Sequence, residues 1–312
     1  MTSPERQVVL VGSATDEHVV ALAGAIRARG VVPLLFDSLR FPELPRLSLG
    51  ESVEDVVVDG RPLGRPAAVY LRGLHASPLS YLVDADKEMT ANWRKTLIVF
   101  QEKGELLFSL LQRWDLLGVP IYNPLAASEA TRKPFQIARL LSAGLPVPQT
   151  IWTNDPEAVR RFAAGRRIAY KPLRGGAATK ELRAEDLDDR RLATLANAPV
   201  CFQELLPGQD MRVFVIDGRV AAAWRIETRA LDYRQHEESI TSFVPDPEIV
   251  AASLRAAEVL GLRFTGIDLK GAADGGMRIL EANPSPMFLG FDHRAGTDVL
   301  GALAEALLAH GR

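Results

Sequence analysis

The feature that most constrains this fold is the alternation of apolar runs and helical periodicity in the first forty residues. Residues 8–11 form a short, wholly apolar run, and Gly12 begins a turn. Apolar residues then recur at helical spacing over 17–29, Gly30 ends the helix, and 31–36 is a second apolar run. Wholly apolar strands joined by a helix are typical of a parallel sheet covered on both faces. The sequence therefore predicts an opening β-α-β unit.

A length of 312 residues is typical of about two domains, and we expect one of them to consist of two subdomains. We predict an α/β domain over 1–125, followed by an α+β part in two subdomains, 126–199 and 200–312. Past residue 200 the chain alternates strands and turns, with a tight hairpin turn at Asp217-Gly218. A helix over 298–308 is expected to close the fold.

Composition excludes several classes of protein. The chain is 47% apolar and 24% charged, which is ordinary for a globular protein and excludes a disordered chain. Its net charge of −2 gives no electrostatic footprint for nucleic acid. The single cysteine, Cys201, excludes an internal disulfide and is read as a core residue. No signal or membrane-spanning segment is visible, so we expect a cytoplasmic protein without a membrane partner.

The most informative segment reads Gly266-Ile-Asp-Leu-Lys, a Gly/Asp turn, and then Arg278-Ile-Leu-Glu-Ala-Asn. It predicts a β-hairpin in which Asp268 lies opposite Glu281, while Glu281 and Asn283 share one face because side chains alternate with period two. Oxygen donors on a rigid hairpin suit Mg²⁺. The alternative is a solvated acidic face.

Two further segments carry weaker signals. Lys171 ends a predicted strand before a small-residue loop over 172–179, which can turn N–H groups towards a phosphate or can be a plain turn. Glu204 ends the next apolar strand, and a Pro-Gly turn then leads to Asp210 and Arg212, two residues apart on one face. This segment is either a ligand-facing connection or an inter-strand turn with an exposed ion pair.

Taken together and in order, these segments resemble the ATP-grasp superfamily, and within it the RimK-like carboxylate–amine ligases. The resemblance covers about 120–290 well and the N-terminal β-α-β domain more loosely. It implies an ATP-grasp fold preceded by a pre-ATP-grasp domain, an ADP-forming ligase activity, and the cofactors ATP and Mg²⁺. The residues that it assigns to ATP are Lys133, Lys171, Gly175, Gly176, Glu204, Leu205 and Asp210. The lysines would hold the phosphates, the glycine loop would fold over them, and the last three residues would contact adenine and ribose.

The resemblance also assigns the metal and the chemistry. Asp268, Glu281 and Asn283 would ligate two Mg²⁺ ions, with Mn²⁺ as an alternative metal. Arg212 and Arg225 would steady the transferring phosphoryl group or the acyl phosphate. The reaction so implied is attack of a substrate carboxylate on the γ-phosphate, followed by displacement of phosphate by an amine.

The substrate stays open at this stage. The stretches 36–42 and 154–157 resemble a RimK-related branch that modifies peptides, in which a hydroxyl or lysine of a precursor peptide is the nucleophile. The alternatives are therefore a small-molecule amide ligase, a graspetide-type ligase that forms ester or amide cross-links, and a nucleotide-binding peptide-recognition module without ligase activity. The polar segment 229–238 is read either as a substrate-recognition loop or as a solvated loop. Arg72, after a predicted strand, is a candidate for binding the substrate carboxylate. The sequence leaves the oligomeric state open, and a homo-oligomer is compatible with it.

Overall fold

A computed structural model describes residues 7–77, 85–174, 178–228 and 239–311. These described residues form four sheets flanked by helices. In these described ranges, every helix is too short or too polar to cross a bilayer.

The first part of the chain is built on a parallel sheet. Its elements are β1 (Val8–Gly12), α1 (Glu17–Ala28), β2 (Leu34–Asp37), β3 (Leu47–Leu49), β4 (Val56–Val58), β5 (Arg61–Pro62), β6 (Ala68–Leu71), α2 (Ala85–Leu116) and β7 (Ile121–Tyr122). The sheet has the order β2-β1-β6-β7, and all its pairings are parallel. The predicted β-α-β unit is therefore confirmed. Helix α1 begins after Asp16, whose carboxylate accepts the N–H groups of His18 and Val19 at 2.8 and 3.2 Å.

The second part contains a small antiparallel sheet, on which α5 and α6 pack. Its elements are α3 (Leu125–Ala130), α4 (Lys133–Ser142), β8 (Thr150–Thr153), α5 (Pro156–Ala163), β9 (Ile168–Lys171), β10 (Lys180–Glu181), α6 (Asp189–Ala193) and β11 (Val200–Glu204). The sheet order is β10-β9-β11-β8. Val159 of α5 and Phe202 of β11 belong to its core. Cys201 is buried in β11, and burial raises the pKa of its thiol, as befits the core residue that was predicted.

The third part is a five-stranded antiparallel sheet. Its elements are β12 (Asp210–Ile216), β13 (Arg219–Glu227), β14 (Ser239–Ser242), α7 (Pro247–Leu260), β15 (Phe264–Gly271), β16 (Met277–Asn283), α8 (Leu289–Ala295) and α9 (Val299–Ala309). The order is β14-β13-β12-β15-β16. Asp217 and Gly218 join β12 to β13 with φ of +43° and +71°, which confirms the predicted hairpin turn.

Helix α9 lies between the first sheet and the five-stranded sheet. Its Leu303 shares a core with Leu22 and Ile26 of α1 and with Phe214 of β12. The other face of the five-stranded sheet packs on α4 and α7. The closing helix expected at 298–308 is present, and it shares its core with the segment predicted as the N-terminal domain.

Candidate active site

The β15–β16 hairpin carries the three predicted metal ligands. Asp268 lies directly opposite Glu281, and Asn283 lies opposite Gly266, so the predicted pairing of the two carboxylates is confirmed. A register shift after Asp268 leaves one extra residue on β16. The Oδ1 atom of Asn283 accepts the backbone N–H of Ser285 at 3.0 Å, which fixes the amide beside the carboxylates.

Each carboxylate is balanced by a cation from a different element. Lys133, at the start of α4, places its Nζ 2.9 Å from Oε2 of Glu281. Arg212 of β12 places its Nε 3.2 Å from Oδ1 of Asp268. Two carboxylates on neighbouring strands would repel each other without such compensation. The site therefore concentrates both signs of charge in a half-buried position.

The guanidinium of Arg212 is also held by aromatic rings. Its Cζ lies 5.7 Å from the centre of the Phe214 ring and 5.4 Å from the centre of the Phe291 ring. A planar guanidinium near two rings loses little further freedom when it binds an anion. Arg212 is thus a rigid positive group beside Asp268.

The small sheet supplies the opposite wall. Lys171, at the end of β9, donates to Oε1 of Gln203 at 3.4 Å, and Gln203 donates to Oγ1 of Thr150 at 3.0 Å. Glu204 accepts the backbone N–H of Gln149 at 3.0 Å, so its side chain is tied to its own sheet. These bonds hold Lys171 at the end of β9, where it lines the same cavity as the hairpin residues.

Asp210 forms an ion pair that was not predicted. Its Oδ2 lies 2.5 Å from Nζ of Lys270, its cross-strand partner on β15, and both side chains are nearly buried. Lys270 is thus a site residue that sequence reasoning missed. Its signal was present, because it lies two residues after Asp268 and alternation places both on one face.

A cavity of about 540 Å³ brings the predicted residues together. Nine of the predicted site residues line it, namely Lys133, Lys171, Glu204, Leu205, Asp210, Arg212, Asp268, Glu281 and Asn283. A larger, more polar cavity of about 1140 Å³ adjoins it and shares Leu205, Asp210 and Lys270 with it. Residues that are far apart in the sequence therefore form one cleft between the small sheet and the five-stranded sheet.

Among the predicted residues that the structure describes, Arg225 is not brought into this cleft. Arg225 is exposed on β13, where its Cζ stacks 4.4 Å above the ring of Phe243. It pairs with Met211 across the strands, so it occupies the face of the sheet opposite to Arg212. Gly175 and Gly176 lie outside the described residues, as does the segment 229–238.

The N-terminal part also reaches the cleft, through two residues that the sequence analysis did not single out. Glu17 and His18, in the first turn of α1, line the cavity. The Nε2 atom of His18 accepts the backbone N–H of Phe288 at 3.1 Å. Burial, together with the charge of Arg72, lowers the pKa of His18, so the neutral ring that can accept this bond is favoured.

Arg72 holds the loop that follows the last metal-ligand candidate. Its Nη1 donates to the carbonyls of Ser285 and Pro286 at 3.1 and 3.2 Å, and its Nε donates to Asp16 at 3.0 Å. Burial alone would raise the pKa of the Asp16 carboxyl, but the hydrogen bond and charge of Arg72 hold it below its ordinary value. The hypothesis that Arg72 meets a substrate carboxylate is therefore not supported by its contacts in this structure.

The donor set fits the metal that the sequence suggested. Two carboxylates and one amide are hard oxygen ligands, and Mg²⁺ usually takes one or two carboxylates together with substrate phosphates. Within the described ranges, no group of three or more His, Cys, Asp or Glu side chains is suited to a metal. A metal here would take the Asn283 amide as its third protein donor, beside the carboxylates of Asp268 and Glu281.

Comparisons with known proteins point in the same direction. Residues 177–307 match the RimK-like ATP-grasp domain family. A structure of the ATP-grasp ligase PsnB, complexed with a phosphomimetic variant of its minimal precursor, Mg and ADP, is 50% identical to this chain. It covers 99% of this chain and 99% of its own, with a TM-score of 0.94. PsnB complexed with the precursor peptide PsnA2 and AMPPNP is 47% identical over 100% of this chain and 99% of its own, with a TM-score of 0.89.

Curated relatives are more distant. The probable alpha-L-glutamate ligase 1 of Hahella chejuensis (strain KCTC 2396) is 28% identical over 211 residues, or 62% of this chain and 69% of its own. The macrocyclase MdnC of Microcystis aeruginosa MRC, bound with its precursor peptide MdnA, shares the fold. It covers 97% of this chain and 100% of its own at 22% identity, with a TM-score of 0.77.

Proposed function

The chain belongs to the RimK-like ATP-grasp family of ATP-dependent ligases, and on that premise we propose that it joins a carboxylate of a precursor peptide to a nucleophile of the same peptide. The observation that carries this proposal is the similarity to the PsnB complexes along 99–100% of the chain. The N-terminal part that contributes Glu17 and His18 to the cleft lies within that similarity. The match to the glutamate ligase of Hahella covers only 62% of the chain.

The positive and the negative residues of the cleft would bind different groups. Lys133 and Lys171 would bind the phosphates of ATP from two sides, and the ion pair of Lys133 with Glu281 would then be rearranged. Asp268, Glu281 and Asn283 would hold Mg²⁺, which when bound neutralises phosphate oxygens and lets an anionic carboxylate approach.

The chemistry follows from this arrangement. A carboxylate oxygen of the peptide attacks the γ-phosphorus, the bond to the β-phosphate oxygen breaks, and ADP leaves. The acyl phosphate so formed is attacked at its carbonyl carbon by a hydroxyl or amine of the peptide, and inorganic phosphate leaves while the nucleophile loses its proton. Arg212, held beside two aromatic rings, would stabilise the negative charge that develops on the acyl phosphate. Each cross-link removes one water from the peptide.

The test is mass spectrometry of synthetic PsnA2 peptide after incubation with the protein, ATP and Mg²⁺. We expect the peptide to lose one water for every ADP released. The variant Glu281→Gln should abolish both signals, whereas Glu258→Gln, which removes an exposed ion pair with Arg255 on α7, should leave them unchanged. ADP release without any change in peptide mass would contradict the proposal.

A second candidate is addition of free glutamate to a peptide, favoured by the curated relatives. It is separated by the same measurement, because a glutamate residue would add mass where cross-linking removes it. A nucleotide-binding module without ligase activity would give neither mass change nor ADP.

A further inference from the structure

Strand β16, which carries two of the proposed metal ligands, lies at the edge of the five-stranded sheet, beside β15. Alternate residues of an edge strand direct both their N–H and their C=O away from the sheet, where these groups need other partners. Ala282 is such a residue, and it lies between Glu281 and Asn283. The backbone that joins the two ligands therefore depends on a group outside the sheet.

A buried glutamine of α4 supplies both partners. Nε2 of Gln136 donates to the carbonyl of Ala282 at 2.8 Å, and Oε1 of Gln136 accepts the N–H of Ala282 at 2.9 Å. A primary amide offers a donor and an acceptor, as a peptide group does, so this one side chain takes the place of a neighbouring strand. Nε2 also donates to the carbonyl of Thr131 at 3.3 Å, and Gln136 is 1% exposed. Bonds so shielded from water are costly to lose.

The same turn of α4 carries Lys133. Lys133 and Gln136 are three residues apart and share a helix face, and they contact consecutive residues of β16, Glu281 and Ala282. The two contacts differ in kind. Lys133 pairs with a side chain, and ATP binding would rearrange that pair, whereas Gln136 binds the backbone and leaves the side chains of Glu281 and Asn283 free to take a metal. The bonds of Gln136 can therefore persist while the charged groups exchange partners.

Two further buried side chains hold the end of β16 without linking it to α4. Oγ1 of Thr265, on β15, donates to the carbonyl of Asn283 at 2.9 Å. Nδ2 of Asn123, which follows β7, donates to the carbonyl of Pro284 at 2.6 Å. Among these three anchors, Gln136 is the one that comes from the helix of the phosphate-binding lysine.

On the premise of the proposed ATP- and Mg²⁺-dependent reaction, we propose that Gln136 is a positioning residue that fixes the metal ligands of β16 relative to Lys133. Its amide is committed to the backbone of Ala282, so it acts through Glu281 and Asn283 and not on the nucleotide. Partners that orient metal ligands typically contribute about 10–100-fold to metal affinity. Loss of Gln136 should therefore weaken metal binding while the binding of nucleotide without metal stays as it was.

The experiment is a titration of the full chain with Mn²⁺ in the presence of ADP, with free Mn²⁺ followed by electron paramagnetic resonance. The affinity for ADP alone is measured by calorimetry in EDTA. Gln136→Met, which keeps a similar volume and removes the amide, should weaken Mn²⁺ binding about 10–100-fold and leave the affinity for ADP in EDTA unchanged. Gln136→Asn, whose amide is one methylene too short to reach both groups of Ala282, should show the same loss.

Leu260→Val on α7 is the matched control. It removes one methylene from the core on the same face of the sheet but no hydrogen bond to β16, so Mn²⁺ binding should be unchanged. Thermal unfolding checks that each variant is folded. Unchanged Mn²⁺ binding by Gln136→Met or Gln136→Asn would overturn the positioning role alone. Equal losses of Mn²⁺ binding and of ADP binding in EDTA would also overturn it, because a purely structural role predicts them. A wild type that binds no Mn²⁺ with ADP would instead overturn the proposed function, and this role with it.

Discussion

The contact of Arg72 with the loop after Asn283 gives a quantitative prediction. Nη1 of Arg72 has two hydrogens and three acceptors within 3.2 Å, the carbonyls of Ser285 and Pro286 and the hydroxyl of Ser285. The guanidinium is 13% exposed, so these bonds compete little with water. Arg72→Lys keeps the charge, but a single ammonium group does not reproduce the fork. The loss of two charge-assisted bonds amounts to about 3 kcal/mol.

The hydrogen bonds of Arg72 stabilise the loop that begins next to Asn283, so losing them should displace the side-chain amide of Asn283. We expect turnover to fall about 100-fold if the whole cost appears in the population of the active geometry. The apparent KM for Mg²⁺ should rise while the KM for the peptide changes little. The assay is the initial rate of ADP release, measured over a range of Mg²⁺ concentrations and of peptide concentrations. Arg113→Lys is the matched control, because Arg113 holds another loop of the same domain through the carbonyls of Gly50 and Ser52. A raised KM for the peptide with unaltered Mg²⁺ dependence would refute this reasoning and restore Arg72 as a substrate-binding residue.

Three further predictions concern the site and the fold. Lys133→Met should lower the rate of ADP release about 100-fold or more through loss of a phosphate-binding charge, and a rate within a factor of about two of wild type would contradict this role. The pKa of His18 is lower in the folded protein than in the unfolded chain, so its contribution to the free energy of unfolding is complete above about pH 6.5. That contribution is lost as the pH falls through the folded-state pKa. His18→Gln should remove this part of the pH dependence in denaturant titrations. Gly208→Ala would place a Cβ 2.6 Å from the Cα of Gly271, so the free energy of unfolding should fall by about 3 kcal/mol. Gly24→Ala, with open space around it in α1, should instead raise it by about 0.5–1 kcal/mol, and equal melting temperatures of the two variants would contradict the clash.

The elements that were predicted correctly depend on sequence patterns that act over a few residues. The opening β-α-β unit and the hairpin of Asp268 and Glu281 were readable because strand alternation and turn residues act over a few positions. Helix α7 was missed although it spans fourteen residues. Its buried stripe includes Ala252, Ser253 and Ala256, which are small and only weakly apolar, so the helical period is faint in the sequence.

The candidate site was also predicted only in part. The cluster of charged residues in one cleft followed from motif order, but the partner of each charge did not. Arg225 and Arg212 are both strand arginines, and only the register between β12 and β13 places them on opposite faces. The bonds of Arg72 to Ser285 and of His18 to Phe288 span more than 200 residues, and no pattern in one sequence encodes such contacts.

The position of α9 against α1 also has a consequence for how the molecule is made. The ribosome makes α1 and β1 well before Leu303 and its neighbours in α9, which cover their apolar side. A nascent chain on the ribosome therefore carries an open hydrophobic surface until α9 has been made, and such exposed surface is prone to aggregation. The apolar side of α1 and β1 is therefore buried only when α9 docks on it.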